Sequence, residues 1–153
     1  YPHVKTSVAD ISLQIVGSTN GVALDTWPTD ESVTFTGLLR DVRPTVAQSW
    51  VSVVPLRLGA GTRLKIIESM ALGTPVISTR KGAEGLDVTH GENILIADDP
   101  RLFARAVVAL LQDPALRTRL SHGGRKLVAE KYSAEVMGRQ FTSLLECYLP
   151  RKQ

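Results

Sequence analysis

The chain has 153 residues, of which 43% are hydrophobic, so we expect residues 1–153 to fold as a single domain with a packed core. Its 18 lysines and arginines exceed its 15 aspartates and glutamates by three, a weak basic excess that selects no partner by itself. Cys147 is the only cysteine, which excludes an internal disulfide and a metal cage built from cysteines.

Short apolar runs alternate with helical patterns along the first two thirds of the chain. Each run is rich in β-branched residues and ends near a turn residue, as buried strands do. The predicted strands are Leu13–Gly17, Val33–Gly37, Val51–Pro55, Pro75–Thr79 and Ile94–Asp98. Strands that alternate with helices favour an α/β fold with one parallel sheet of about five strands.

Helical patterns fill the gaps between these strands and the region that follows them. DVRPTVAQSW and TRLKIIESMALG separate the second, third and fourth strands, and Gly73 and Pro75 stop the latter helix. Asp99 and Pro100 then predict the start of a capped helix, and two more helices follow, the first weakened at Gly123 and Gly124. The loops at the carboxyl ends of the strands should share one rim, where α/β folds bind ligands.

Glycines and cations follow the third predicted strand, where GAGTR opens the next helix. Free backbone amides and the positive end of the helix dipole attract anions there, and Gly59 and Gly61 permit a close approach. Arg63 and Lys65 lie in the first turn, where cations are unfavourable unless an anion is near. The stretch fits a phosphate-binding loop and equally fits a plain glycine turn between a strand and a helix.

Glu68 interrupts the apolar side of the same predicted helix. At about 100° per residue it shares an arc with four apolar residues, Leu64, Ile67, Ala71 and Leu72. Lys65 and Ser69 fall in the polar sector. We therefore expect a carboxylate on the buried side, which needs a cation, backbone donors or ligand hydroxyls as its partner.

Taken together, three runs resemble the C-terminal half of group 1 retaining glycosyltransferases with the GT-B fold. They are VSVVPLRLGAGTRLKIIESMALGTPVISTRKGAEGL, GENILIADDPRLFARAVVALLQDP and GRKLVAEKYS. The resemblance implies a Rossmann-like domain with C-terminal helices that binds a nucleotide-sugar donor. It also implies that the acceptor-binding N-terminal domain is absent, that the donor domain is truncated upstream of Tyr1, and that the isolated fragment is inactive.

The resemblance assigns roles to particular residues. Glu68 matches the carboxylate that accepts hydrogen bonds from the ribose hydroxyls, and Gly59–Thr62 match the segment whose amides face the donor sugar and diphosphate. Leu38 and Leu39 match the loop that contacts the base. The implied donor-binding set is Gly17, Gly37, Leu38, Leu39, Gly59, Ala60, Gly61, Thr62, Arg63, Lys65 and Glu68.

Two departures from the family pattern affect these assignments. Ala60 lies eight positions before Glu68, where many members carry a second glutamate that touches the donor sugar. The family's Arg and Lys pair for the leaving diphosphate lies upstream of Tyr1, which leaves Arg63 and Lys65 as candidate substitutes. The resemblance implies retention of the anomeric configuration without a metal or other cofactor, and it identifies no catalytic residue in this chain.

Alternatives from other classes stay open at this point. A dinucleotide-binding module fits poorly, because Leu64 replaces the third glycine of GxGxxG and the loop follows a middle strand. In a noncatalytic α/β interaction domain, Glu68 would pair with Arg63 or another cation. Sparse aromatic residues argue against a nucleic-acid partner.

The location of the protein is predicted from the absence of two signals. The sequence has no apolar run of about 20 residues and does not begin with the pattern of a signal peptide. We therefore expect a cytoplasmic protein. Basic residues on the late helices suit a peripheral contact with a membrane surface that presents the acceptor, although a solvated helix face accounts for them as well.

Overall fold

A computed structural model of the chain describes residues 1–21, 30–59 and 61–148. The strands are β1 Leu13–Val16, β2 Val33–Gly37, β3 Ser52–Val54, β4 Val76–Ser78 and β5 Leu95–Ile96. The helices are α1 Pro2–Lys5, α2 Arg43–Gln48, α3 Leu64–Leu72, α4 Pro100–Gln112, α5 Pro114–Leu127 and α6 Ala134–Tyr148. All five predicted strands are present, and helices separate β2 from β3 and β3 from β4, so the predicted α/β class is confirmed.

The strands pair in parallel, but they form two sheets instead of one. β1 pairs with β2, whereas β3, β4 and β5 form a separate sheet in that order. Within the described residues no ladder joins β1 to β3, so each keeps one open edge. Val16 and Val53, one on each of these strands, are 37% and 36% exposed, which is high for parallel strands.

The helices bury two apolar clusters around the larger sheet. Ile66 and Met70 of α3 pack with Val54, Val76 and Ile94 from the strands and their flanks. A second cluster joins α4 and α5 to β4 and β5; its most buried members are Ile77, Leu110 and Leu120. The first cluster fixes α3 against β3 and β4, and thereby determines where the first turn of α3 lies.

The helix ends follow the predicted signals. The Asp99 side chain accepts hydrogen bonds from the backbone amides of Arg101 and Leu102, at 2.9 and 3.0 Å, and so caps α4. Asp113 caps α5 in the same way, through the Leu116 amide at 2.9 Å.

The helix is not interrupted at Gly123 and Gly124. α5 runs unbroken through both glycines and continues as a π-helical turn over Val128–Tyr132. A Cβ at Gly123 would lie 2.2 Å from the carbonyl oxygen of Glu92, and one at Gly124 would lie 3.0 Å from Met70. The glycines therefore allow a close approach between α5 and its neighbours.

α6 projects from the rest of the described chain. It has no buried residue, and it exposes a row of large apolar side chains, Met137, Phe141, Leu144, Leu145 and Tyr148. It packs mainly against the π-helical turn that precedes it. None of the described helices combines the length and the hydropathy that crossing a membrane requires.

An ion pair ties α1 to the start of β2. Lys5 Nζ donates to both carboxylate oxygens of Asp30, at 2.7 and 2.6 Å, and the Ser32 backbone amide donates to Asp30 at 3.0 Å. These hydrogen bonds, first of all the one from Lys5, lower the pKa of Asp30 to about 2 from its usual 3.8. The folded state therefore favours the ionised form of Asp30.

We expect Gly123→Ala to lower the free energy of unfolding by about 1–3 kcal/mol, because the added methyl group meets a backbone carbonyl that cannot turn away. Gly138→Ala is the matched control, since α6 leaves open space at that position and alanine favours the helix by about 0.5–1 kcal/mol. Urea unfolding of both variants measures the difference. Equal effects of the two substitutions would contradict the close approach.

Asp30 should make stability depend on acidity. Because its pKa is lower in the folded state, its contribution is present above about pH 4 and is lost as the pH falls through about 2. Asp30→Asn should therefore flatten the fall in unfolding free energy between about pH 4 and about pH 2. Urea unfolding across this range checks the change, and parallel curves for parent and variant would show that Asp30 has no such role.

Candidate functional site

The first turn of α3 lies beside the glycine loop and carries no side-chain cap. Arg63 occupies the N-cap position with no capping hydrogen bond, and the turn contains no acidic residue. Gly59 and Gly61 have φ angles of 127° and 98°, which side chains rarely adopt. Among the described residues, the backbone amides of Gly61 and Thr62 donate to no partner. Unengaged amides at a helix N-terminus can bind an anion.

The predicted orientation of α3 was wrong. Its buried residues are Ile66, Ser69 and Met70, whereas Glu68 is exposed and Leu64 is 55% exposed. The apolar arc deduced from spacing does not face the core, because α3 packs through Ile66 and Met70 and hydrogen-bonds the buried Ser69 hydroxyl to Ser52 Oγ at 2.9 Å. Water can therefore solvate the Glu68 carboxylate, and burial imposes no need for a partner.

The Glu68 side chain forms no hydrogen bond or ion pair with any other described residue. The alternative in which Glu68 pairs with Arg63 is not found, since Arg63 contacts Glu84 instead. Lys65, also exposed, lies one turn before Glu68 on the same helix and forms no described ion pair. A free carboxylate and a free ammonium group are thus presented beside the glycine loop.

Arg63 is buried, with its side chain 7% exposed. Its Nη2 donates to Glu84 Oε2 at 3.2 Å and to the carbonyl oxygen of Gly59 at 3.4 Å, while its Nε is buried and finds no partner among the described residues. Lys81 Nζ donates to the same Glu84 oxygen at 2.6 Å. This hydrogen bond, more than Arg63, lowers the pKa of Glu84.

Side chains also join the loops that follow β3 and β4. The Thr79 hydroxyl donates to the carbonyl of Leu56 and accepts a hydrogen bond from the Gly82 amide at 2.9 Å. Gly82 is tightly enclosed, since a Cβ there would lie 2.3 Å from Ser78 Oγ and 2.9 Å from the Val54 carbonyl. The sequence analysis did not predict the link from Lys81 and Glu84 to the glycine loop, for which the position of KGAEGL after a predicted strand was the only signal.

The other predicted rim residues meet at the smaller sheet. The Gly17 amide donates to the Gly37 carbonyl at 3.3 Å, which brings the ends of β1 and β2 together. Leu38 is 86% exposed and Leu39 is half-buried, so an apolar surface is available there. Ala60, the remaining predicted residue, lies outside the described residues. In the described part of the chain, no histidines, cysteines or carboxylates are grouped as ligands for a metal ion.

Comparison with known proteins identifies the family to which the chain belongs. The family model of glycosyl transferases group 1 matches residues 1–113. The GDP-mannose-dependent monoacylated alpha-(1-6)-phosphatidylinositol monomannoside mannosyltransferase of Corynebacterium glutamicum is 29% identical over 95% of this chain and 41% of its own length. The chain spans 24% to 41% of the length of the first curated relatives that it matches.

Solved structures share the fold at low sequence identity. A glycosyltransferase from Rickettsia africae superposes with a TM-score of 0.85 at 13% identity, over 98% of this chain and 43% of that one. HepE of Anabaena, crystallised with UDP and glucose, gives a TM-score of 0.78 at 15% identity, over 95% of this chain and 44% of that one. The chain therefore belongs to the group 1 glycosyltransferase family and has the fold of the C-terminal domain of its GT-B members.

Proposed function

We propose that the chain is the donor-binding half of a glycosyltransferase and that the glycine loop, the first turn of α3 and Glu68 hold a nucleoside-diphosphate sugar. The observation that carries this proposal is the uncapped first turn of α3 beside a loop with unengaged amides. Free amides at a helix N-terminus attract an anion, and an ammonium group there is favourable when an anion is near. Family membership supplies the substrate class.

The exposed groups around α3 suit the parts of such a donor. The amides of Gly61 and Thr62 and the ammonium group of Lys65 suit the diphosphate. The two carboxylate oxygens of Glu68 can accept hydrogen bonds from the two ribose hydroxyls. Leu38 and Leu39, with Gly17 and Gly37 at their side, suit the base.

We propose that the reaction transfers the sugar with retention of its anomeric configuration. Negative charge grows on the leaving nucleoside diphosphate as the glycosidic bond breaks, and fixed amides, the dipole of α3 and Lys65 lower the energy of that charge. These groups do this without a metal ion. No residue of this chain is assigned to the acceptor side of the reaction.

The acceptor half of the proposed enzyme lies outside this chain. The matched relatives are more than twice as long as the part that corresponds to residues 1–153. We propose that their additional length includes the acceptor domain and further diphosphate-binding cations. The chain alone should then bind donor weakly and transfer sugar at a negligible rate.

The base, the sugar and the acceptor are open to test. HepE was crystallised with UDP, whereas the Corynebacterium relative is named for GDP-mannose and a phosphatidylinositol mannoside, so both nucleotides are candidates. An acceptor glycan, lipid or small molecule is compatible with the family. A cytoplasmic protein in peripheral contact with a membrane stays a prediction.

We expect titration with UDP, GDP and ADP to shift the amide NMR signals of residues 59–68 and 36–39 with one nucleotide more than with the others. Glu68→Ala should weaken that binding about 10- to 100-fold, the value of hydrogen bonds to a charged acceptor. NMR titration of the 15N-labelled chain measures both effects.

Glu146→Ala provides the matched control, because Glu146 is likewise an exposed helical glutamate with no described partner. It should leave nucleotide affinity unchanged. If Glu68→Ala and Glu146→Ala bind the nucleotide equally well, Glu68 does not contact the ribose. If none of the three nucleotides shifts these signals, even in a longer chain that includes the upstream residues, the proposed function is wrong.

A further inference from the structure

The interactions of the Arg63 guanidinium group do not compensate for its burial, so a contribution to stability does not explain its position. A charged side chain that is 7% exposed has lost most of its hydration, and its Nε recovers no hydrogen bond from the described residues. Both of its hydrogen bonds, at 3.2 and 3.4 Å, are long. Glu84 would keep a cation at 2.6 Å through Lys81 even without Arg63. Such an arrangement calls for an explanation other than the strength of the ion pair.

The two groups that Arg63 contacts belong to different loops. Gly59 lies in the glycine loop after β3, whereas Glu84 lies in the loop after β4, 21 residues from Arg63 in sequence. The second loop is held firmly at its base by Thr79 and by the enclosed Gly82. The loop that carries Glu84 is therefore fixed at its base. Because Arg63 donates to both Glu84 and the Gly59 carbonyl, it restrains Gly59 relative to this loop.

The glycine loop needs such support. Gly59 and Gly61 are open to solvent, and a Cβ at either position would meet nothing within 4 Å, so packing does not restrain them. Glycine also has the largest backbone freedom of any residue, which makes an unsupported loop costly to order around a ligand. A hydrogen bond to the Gly59 carbonyl restrains the loop from the protein side and leaves the amides of Gly61 and Thr62 unengaged.

We propose that Arg63 and Glu84 are positioning residues, which order the glycine loop before the donor binds. In this role Arg63 does not contact the diphosphate, in contrast to the role that its place in the sequence suggested. Of the two candidate cations, Arg63 and Lys65, the exposed Lys65 is the one that faces the ligand. The benefit is preorganisation: the loop amides are already arranged when the anion arrives, so less conformational entropy is lost on binding. The effect on donor affinity rests on the proposed function, but the effect on the loop does not.

Glu84→Gln separates this role from direct binding by Arg63. The substitution removes the charge that holds the guanidinium group, at a side chain that is 58% exposed, so the fold should tolerate it. If Arg63 were a ligand for the diphosphate, its release from Glu84 would strengthen nucleotide binding or leave it unchanged. If Arg63 positions the loop, the release weakens binding.

The experiment compares Glu84→Gln with Asp87→Asn in 15N-labelled chain. Asp87 is a suitable control because it lies in the same segment and forms an exposed ion pair with Lys131 at 2.8 Å. We expect Glu84→Gln alone to shift the Arg63 Nε signal and the amide signals of Gly59, Gly61 and Thr62, and to lower the heteronuclear NOE of those amides. The dissociation constant of the best-binding nucleotide should rise about 3- to 10-fold. Arg63→Lys should keep the ion pair with Glu84 but lose the hydrogen bond to the Gly59 carbonyl. It should therefore lower the heteronuclear NOE of the loop amides as Glu84→Gln does.

Unchanged loop signals and NOE values in Glu84→Gln would overturn the proposal whether or not a nucleotide binds. Tighter nucleotide binding by Glu84→Gln would also overturn it, because Arg63 would then be a direct ligand. If no nucleotide binds, even to a longer chain that includes the upstream residues, but the loop becomes mobile in Glu84→Gln and not in Asp87→Asn, the positioning role holds and the proposed function fails.

Discussion

The packing of α3 on the larger sheet is the constraint on which the candidate site depends. Ile66 and Met70, 0% and 2% exposed, fill the space over β3 and β4, and this contact fixes both the height and the rotation of the helix. Its first turn is thereby placed beside the loop that leaves β3, and Glu68 is turned toward solvent. The core thus determines which polar groups are exposed at this end of the helix.

The polar part of the site divides into groups that face outward and groups that face the protein. The side chains of Lys65 and Glu68 and the backbone amides of Gly61 and Thr62 have no described partner, so these groups are available to a ligand. Arg63 and Glu84 are engaged with each other. Arg63 and Lys65 are only two residues apart in sequence but have different environments. Arg63 is buried at the start of α3, whereas Lys65 lies on the exposed surface of the helix.

Much of the fold follows from local patterns, whereas the details of the site do not. β-branched runs predicted all five strands, and Asp99 and Pro100 predicted the start of α4, because these signals act over a few residues. The rotation of α3 was predicted wrongly, since Ile66 and Met70 lie on one side and four other apolar residues occupy another arc. The link from Arg63 to Glu84 and the approach of Glu92 to Gly123 span 21 and 31 residues, and depend on how the elements pack.

The proposed function places a nucleoside diphosphate against Glu68 and the glycine loop at the carboxyl end of β3. A crystal structure of the chain with the best-binding nucleoside diphosphate should show ribose hydroxyls within about 3.2 Å of the Glu68 carboxylate oxygens, and phosphate oxygens on the amides of Gly61 and Thr62. A nucleotide bound elsewhere, or bound here with its ribose turned away from Glu68, would rule out this placement.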